Sequence, residues 1–200
     1  MNRLWQFLTQ PQFLIPVGVG LIGAFWPRKA SSMIAGLGPI PDLPATSTFI
    51  RADLLPLARE KARKYGVPED GFIKQMWVES RFNPNAVGPD TSWGKAKGIA
   101  QFIDATASDF NIDPMDPEQA LDAGARYMKR LHDRYVEQGY PDIAWSLAAA
   151  GYNWGPGNVD KFVKGQKNPP GETKRYVEHV HAYYGEINPL SPGFTGLGVV

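Results

Sequence analysis

The stretch Met76-Trp77-Val78-Glu79-Ser80-Arg81-Phe82-Asn83-Pro84-Asn85-Ala86 decides how this chain is read. Its start continues a helix opened by Pro68-Glu69-Asp70, in which Phe72, Ile73, Met76 and Trp77 recur at the three- and four-residue spacing of one helix face. Glu79 therefore stands at the end of that helix, behind apolar residues that draw its carboxyl group away from water. Burial disfavours the charged form and lifts a carboxyl pKa toward the range that serves a general acid near neutral pH. A glutamate at a helix end is also an ordinary surface residue, so the stretch alone leaves both readings open.

Outward from it, the chain is helical on both sides. Asp53 is placed to cap a first helix through Leu54, Leu57, Ala58 and Ala62, which ends at Tyr65-Gly66, a glycine-after-helix stop. Asp116-Pro117-Glu118 starts the longest helix. There Leu121, Ala125, Met128, His132 and Tyr135 trace one stripe, and Arg126, Lys129, Arg130 and Arg134 lie mostly off it. Pro141 to Tyr152 and Glu172 to Tyr184 supply two more helices. No alternating strand pattern of useful length occurs, so residues 49–186 form a mainly α domain. A 200-residue chain with 43% hydrophobic and 20% charged residues is long enough to bury a core of its own.

The ends differ from this centre. Residues 1–32 are an apolar N-terminal segment whose run Phe13 to Trp26 is uncharged and flanked by Arg3, Arg28 and Lys29. As a helix that run spans about 21 Å, short of the roughly 30 Å hydrocarbon core of a bilayer. Three readings stand: membrane contact through residues 4–26, an arm packed on a virion or secretion-complex partner, and a secretory signal. The charges just after the run and the lack of an A-x-A site count against the last. Residues 33–48 are a Pro/Gly-rich linker and residues 187–200 a loop-like C-terminal tail.

Charge and composition exclude several classes. A formal net charge of +1 gives no overall attraction to nucleic acid, and the absence of cysteine removes disulfides and thiolate chemistry. A local basic excess, Lys161, Lys164, Lys167, Lys174 and Arg175 against Asp160 and Glu172, is either a solvated face or a contact for an anionic polymer. His179 and His181 stand two apart, so on a helix they point to different faces and cannot readily share a metal ion. Asp113-Pro114-Met115-Asp116-Pro117-Glu118 lacks the spacing of a calcium loop and reads as turn and cap residues. No phosphate-binding glycine loop or Ser-His-Asp signature is present, and neither a metal nor an organic cofactor is expected.

Four segments follow Glu79-Ser80 in order: Asn83-Pro84-Asn85-Ala86, then Gly98-Ile99-Ala100-Gln101, then Ala150-Gly151-Tyr152-Asn153-Trp154-Gly155-Pro156, then Glu172-Thr173-Lys174-Arg175-Tyr176-Val177. This series resembles the soluble lytic transglycosylase family, related in fold to goose-type lysozyme, over about Leu54 to Tyr184. The family pattern runs E-S-x-x-N-P-x-A, G-L-M-Q, A-Y-N-x-G-P and E-T-x-x-Y-V. The resemblance implies a largely helical lysozyme-like domain that binds peptidoglycan glycan strands. It implies cleavage of the β-1,4 link between N-acetylmuramic acid and N-acetylglucosamine, with Glu79 acting as acid and then as base, and with the substrate's own N-acetyl group assisting. The product would carry a 1,6-anhydro ring, and no water would be consumed.

The resemblance also carries over the supporting residues. Gln101 is either a hydrogen-bonding partner for a sugar or a buried amide that ties down its loop. Tyr152 either orients the N-acetyl group or Glu79, or fills the core. Asn153 is a candidate substrate contact, but reads chiefly as a residue that caps or bonds the Gly-Pro-Gly turn. Glu172 either bonds inside the sugar groove or caps its helix. The chain departs from the family at Gly88 to Lys97, a lengthened loop in which Gly88 takes the usual serine position and Ser92 is the candidate substitute. Trp93 in the same loop either stacks on a sugar face or closes over the core. Ala100 replaces a methionine, and Gly151 interrupts the usual A-A-Y-N.

Two rival readings remain at this stage. A water-using muramidase on the same scaffold needs a second carboxylate, for which Asp90 and Asp104 are candidates. A structural or wall-binding protein would carry these residues without using them. A phage virion component, a secretion-system component and a bacterial envelope enzyme are all compatible settings.

Overall fold

The computed structural model describes residues 49–195 and residue 197; the apolar segment 1–32 and the linker 33–48 lie outside the described residues. Seven α-helices carry the described part: α1 (Leu55–Tyr65), α2 (Glu69–Ser80), α3 (Asp104–Phe110), α4 (Pro117–Glu137), α5 (Ala144–Trp154), α6 (Pro156–Val163) and α7 (Gly171–Val180). Three 3-10 turns, Ala52–Leu54, Pro141–Ile143 and His181–Tyr184, lead into or out of them. Among the described residues the only β pairing is two isolated antiparallel bridges, Val87 with Lys97 and Lys97 with Phe102. The mainly α expectation holds for the described residues.

Local signals explain most helix ends. Gly66 closes α1 in the left-handed conformation at φ 68°, and the Val67 amide returns to the Ala62 carbonyl at 2.9 Å. Asp116 caps α4 by accepting from the amides of Glu118 and Gln119 at 2.9 and 3.0 Å. Glu69 and Asp70 occupy the first turn of α2, where negative charge suits the helix dipole, and Arg59 of α1 lies 3.1 Å from each. Asp53 departs from expectation: its carboxylate faces Arg51 at 2.8 and 2.6 Å instead of capping, and α1 begins two residues later after a 3-10 turn.

α5 runs through the centre, buried from Ser146 to Trp154, and packs between α4, α6 and α7. Gly151 is explained by that packing. A Cβ there would approach the Tyr135 hydroxyl at 3.2 Å, so the residue faces α4 and lets the two helices close together. The α4 stripe is buried at Leu121, Ala125, Met128 and Tyr135, whereas His132 stays partly exposed and stacks on Trp145 at 3.9 Å. On the opposite side of the core, Phe102, Phe110, Tyr127 and Tyr152 form an aromatic cluster with centroid separations of 5.4–5.9 Å along its closest pairs.

Two helices had no visible signal. The segment forming α3, Asp-Ala-Thr-Ala-Ser-Asp-Phe, buries only Thr106 and Ala107, too little for a periodic stripe. α6 begins on the proline of the expected Gly-Pro-Gly turn, since a proline fits the first helical position without losing a bond. The expected tail also starts inside the fold: Asn188, Pro189 and Leu190 are buried, and Asn188 Nδ2 donates to Glu178 at 2.7 Å.

Candidate active site

Glu79 is the penultimate residue of α2, and the chain reverses directly behind it. Arg81 and Phe82 adopt left-handed backbone at φ 54° and 62°, an arrangement that non-glycine residues reach only under tertiary constraint. Phe82 supplies the constraint: it is fully buried and meets Phe49 edge-on at 5.3 Å. Ser80 fixes the end of the helix by donating to the Ile99 carbonyl at 2.8 Å, and its hydroxyl accepts from the Asn83 amide at 3.2 Å.

The Glu79 carboxyl group is crowded by protein while the residue keeps an edge open to solvent. Burial is the main cause that pushes its pKa up to about 8; the nearby charge of Glu172 adds to the rise, and a hydrogen bond from Tyr176 opposes it. The Tyr176 hydroxyl donates to Glu79 Oε1 at 2.5 Å. Tyr152, Tyr176 and Tyr184 are buried, and each has its pKa raised by burial with Glu79 as a further contributor, so the carboxyl sits among three tyrosines. Beneath it on the same face of α2, Gln75 accepts from the Tyr184 hydroxyl. The Tyr184 ring lies so close to Gly71 that a Cβ would meet it at 2.3 Å.

Tyr176 was absent from the residues singled out in the sequence, although it is the tyrosine of the E-T-x-x-Y-V segment. Its signal was the spacing to Thr173, one helical turn away. The Thr173 hydroxyl is buried and donates to Asn153 Oδ1 at 2.8 Å, which joins α7 to α5 and sets the face of α7 that reaches Glu79. Asn153 thus bonds across to α7 instead of capping the Gly-Pro-Gly turn; Asn158 fills that role by donating to the Trp154 carbonyl at 2.6 Å.

Tyr152 gives its hydroxyl proton to the Ala100 carbonyl at 2.8 Å and touches neither carboxylate by hydrogen bond. It is fully buried, and it holds the Gly98–Phe102 turn against α5. Gln101 is also buried. Its backbone is left-handed at φ 50°, and its side-chain amide donates to the Gly98 carbonyl at 2.8 Å. Gly98 itself admits no substitute, because a Cβ would lie 1.7 Å from the Pro114 carbonyl oxygen and φ is +73°. Glu172 is half-buried; burial raises its pKa against the opposing charge of Arg175, and its enclosed Oε1 has no hydrogen-bond partner.

The loop from 86 to 98 is a narrow hairpin. Gly88 donates to Ala96 at 2.8 Å, Gly98 to Ala86 at 2.8 Å, and the tip is closed by Thr91, which bonds the Gly94 carbonyl at 2.7 Å. Trp93 projects from this tip with 56% exposure, so it does not close over the core, and Ser92 beside it is exposed. Gly88 lies next to the site turn, its absent Cβ 3.4 Å from Gln101 Oε1. Asp90 and Asp104 both point to solvent, near Lys95 at 3.9 Å and Lys97 at 2.6 Å. His181 Nδ1 faces the Glu186 carbonyl at 2.9 Å and His179 is half-buried; no three metal-ligating side chains converge among the described residues.

A largely helical domain that ends one helix on a partly buried glutamate, with a second carboxyl group nearby, has a lysozyme-like architecture. A family model described as the transglycosylase SLT domain matches residues 56–174, and the chain belongs to this family. Membrane-bound lytic murein transglycosylase C of Yersinia pestis and that of Yersinia pseudotuberculosis are each 31% identical to it over 153 residues. The match spans 70% of this chain but only 38% of those relatives. Among solved structures, an inactive mutant of the lytic transglycosylase Slt from Pseudomonas aeruginosa shares the fold, with a TM-score of 0.52 at 24% identity over 68% of this chain and 24% of that one.

Proposed function

We propose that this chain is a peptidoglycan lytic transglycosylase that cleaves the β-1,4 bond between N-acetylmuramic acid and N-acetylglucosamine without consuming water. The observation that carries the reading is the placement of Glu79, partly open to solvent and hydrogen-bonded by Tyr176, where burial pushes its pKa up to about 8. A neutral carboxyl delivers its proton to the glycosidic oxygen as the bond breaks. The carboxylate left behind keeps the Tyr176 hydrogen bond, which favours the charged form. The substrate's N-acetyl oxygen bonds to the anomeric carbon as the leaving sugar departs. Glu79 then takes the proton of the muramyl 6-hydroxyl, whose oxygen closes onto that carbon and displaces the N-acetyl oxygen. Glu79 ends the cycle protonated as it began.

The other candidates divide into two groups. Glu172 Oε1, enclosed and lacking a donor, suits an N–H or O–H of the bound sugar. Trp93 offers a flat apolar surface to a pyranose face, and Ser92 a hydroxyl at the same tip. Tyr152 acts as framework, since its hydroxyl is bound to the Ala100 carbonyl, and Gln101 Nε2 and Asn153 Oδ1 are likewise engaged with the protein. The setting is the bacterial cell envelope, entered as part of a phage virion during genome delivery, with residues 4–26 contacting the membrane or a virion partner. Flotation of the full chain with lipid vesicles, compared with a chain starting at Phe49, tests that contact; equal flotation of both removes the membrane role.

Mass spectrometry of digested wall tests the chemistry. Products ending in 1,6-anhydro rings, lighter by one water, are expected; reducing ends would overturn the proposal. One observation favours a second reading. Glu172 is a second carboxylate within electrostatic reach of Glu79, as a hydrolytic muramidase needs. Digestion in ¹⁸O-labelled water separates the two, because only hydrolysis places the label in the product.

A further inference from the structure

Gln75 stands out among the buried side chains of α2. Phe72, Ile73 and Met76 around it are apolar, and it is as fully enclosed as they are, at 0% exposure. An amide at such a position is costly, because each polar end must replace the water it has lost. One end is compensated: Oε1 accepts from the Tyr184 hydroxyl. The other is not, since Nε2 has no hydrogen-bond partner among the described residues. The bond to Tyr184 also fixes which way the amide faces. That tyrosine is itself held, with its ring packed over Gly71 so closely that a Cβ there would meet it at 2.3 Å.

Gln75 precedes Glu79 by four residues on one continuous helix, which puts both side chains on one face with Cβ atoms about 5–6 Å apart. Long side chains on a helix lean toward its N-terminus, so the Glu79 side chain lies over the turn that Gln75 occupies. Tyr184 links the two: it donates to Gln75, and the charge of Glu79 contributes to the rise of its own pKa. The ionisable groups that act on the Glu79 carboxyl all come from other elements. Tyr176 and Glu172 stand on α7, Tyr152 on α5, and Tyr184 on the 3-10 turn that follows α7. Among the described residues the carboxyl takes one hydrogen bond, from Tyr176 at Oε1. An unmatched buried donor therefore lies one helical turn below an acid that has an acceptor oxygen to spare.

We infer that Gln75 is a positioning residue for Glu79, whose Nε2 donates to the carboxylate oxygen that Tyr176 leaves open once the proton has passed to the glycosidic oxygen. This rests on the two-stage acid–base reading above. A neutral carboxyl attracts the amide weakly; ionisation makes the bond charge-assisted and roughly doubles its strength. The donor thus favours the state of Glu79 that exists between the two proton transfers, and it orients that carboxylate for the muramyl 6-hydroxyl. A leucine of similar size would fill the same space without supporting the base.

Gln75→Leu alone leaves the Tyr184 hydroxyl buried without an acceptor. The test therefore uses the full chain with Gln75→Leu and Tyr184→Phe together, which removes both polar partners and keeps the shape. The first measurement needs no substrate: NMR titration of the Glu79 side-chain carboxyl carbon, its signal assigned by its loss in Glu79→Gln. The double variant should titrate about one pH unit higher than the parent. Tyr184→Phe alone keeps Nε2 and should move less than about half as far. On sacculi, the double variant should lose about tenfold in kcat at pH 7 with KM within about twofold, and the alkaline fall of kcat should rise with the titration. An unchanged titration overturns the inference. So does an equal rise in Tyr184→Phe, which places the effect on the tyrosine hydroxyl, or a loss carried by KM, which places Gln75 in sugar binding. Anhydro products with an unchanged titration would remove Gln75 and leave the lytic reading standing; a raised titration with reducing-end products would keep the Gln75 bond and remove the lytic reading.

Discussion

The two flanks of Glu79 are built on opposite principles. On the α7 side, the hydroxyls near the carboxyl are buried and engaged: Tyr176 on Glu79, Thr173 on Asn153, Tyr184 on Gln75. On the hairpin side, order comes from main-chain bonds between residues 86–88 and 96–98, and the side chains at the tip face water. A buried flank can set a proton affinity, because its dipoles are fixed and its dielectric is low. An exposed hairpin cannot do that, but it can grip a long polymer. Under the proposed function, chemistry belongs to one flank and strand contact to the other, and substitutions on each side should therefore fail in different ways.

The strongest break in this contrast comes at Glu79 itself. Glu79→Gln should lower cleavage by about a thousandfold or more, read as release of soluble muropeptides, with the fold intact. The same variant should gain stability with pH. The carboxyl binds its proton more tightly folded (about 8) than unfolded (4.5), so the parent loses stability as pH rises between these values and gains none back above them. The stability advantage of Glu79→Gln over the parent should thus be near zero at pH 4 and largest above pH 8, with an upper bound of about 5 kcal/mol.

Tyr176→Phe sharpens the claim that the α7 flank tunes the proton. It should reduce kcat about a hundredfold. Because the lost hydrogen bond stabilised the carboxylate, the alkaline fall of the pH–rate profile should move to higher pH. A downward move would show that Tyr176 does not act on Glu79 in this way. Gly98→Ala strikes where the two flanks join. The clash with Pro114 and the positive φ predict a loss of several kcal/mol, about 3 or more, in denaturant unfolding. Thr173→Val leaves Asn153 Oδ1 without its buried donor and should cost about 1–3 kcal/mol, with a smaller loss of rate than Tyr176→Phe. The mildest change is Trp93→Ala, which should alter stability by less than about 0.5 kcal/mol and raise KM severalfold at unchanged kcat.

What the sequence disclosed divides along similar lines. The stops at Gly66 and Asp116 were legible because capping is a local event, written within four residues. The place of Glu79 at a partly buried helix end was legible because apolar spacing runs up to it. Tyr176 was not singled out, because its role depends on the way α7 is rolled, and that roll is set by a bond to Asn153 twenty residues earlier in the chain. Tyr152 and Gln101 looked like candidates for substrate contact, and the Tyr152 hydroxyl and the Gln101 Nε2 are engaged with the Gly98–Phe102 turn, a fact of tertiary pairing. Asp53 was misplaced because Arg51 competes for it two residues away. The second acid presented the same difficulty: Asp90 and Asp104 are nearer to Glu79 in sequence, but the fold sends them to solvent and brings up Glu172.

The hairpin's construction makes it an interchangeable part. Both of its stems are pinned through backbone atoms, at Gly88–Ala96 and Ala86–Gly98, and Gly98 is locked against Pro114. Between those pins, residues 89–95 contribute no core side chain. Loop closure costs grow slowly with length, so this segment can be shortened, extended or swapped for a foreign sequence while Glu79 stays where it is. Under the proposed function, a library confined to these seven positions would vary what the domain grips and leave untouched how it cuts.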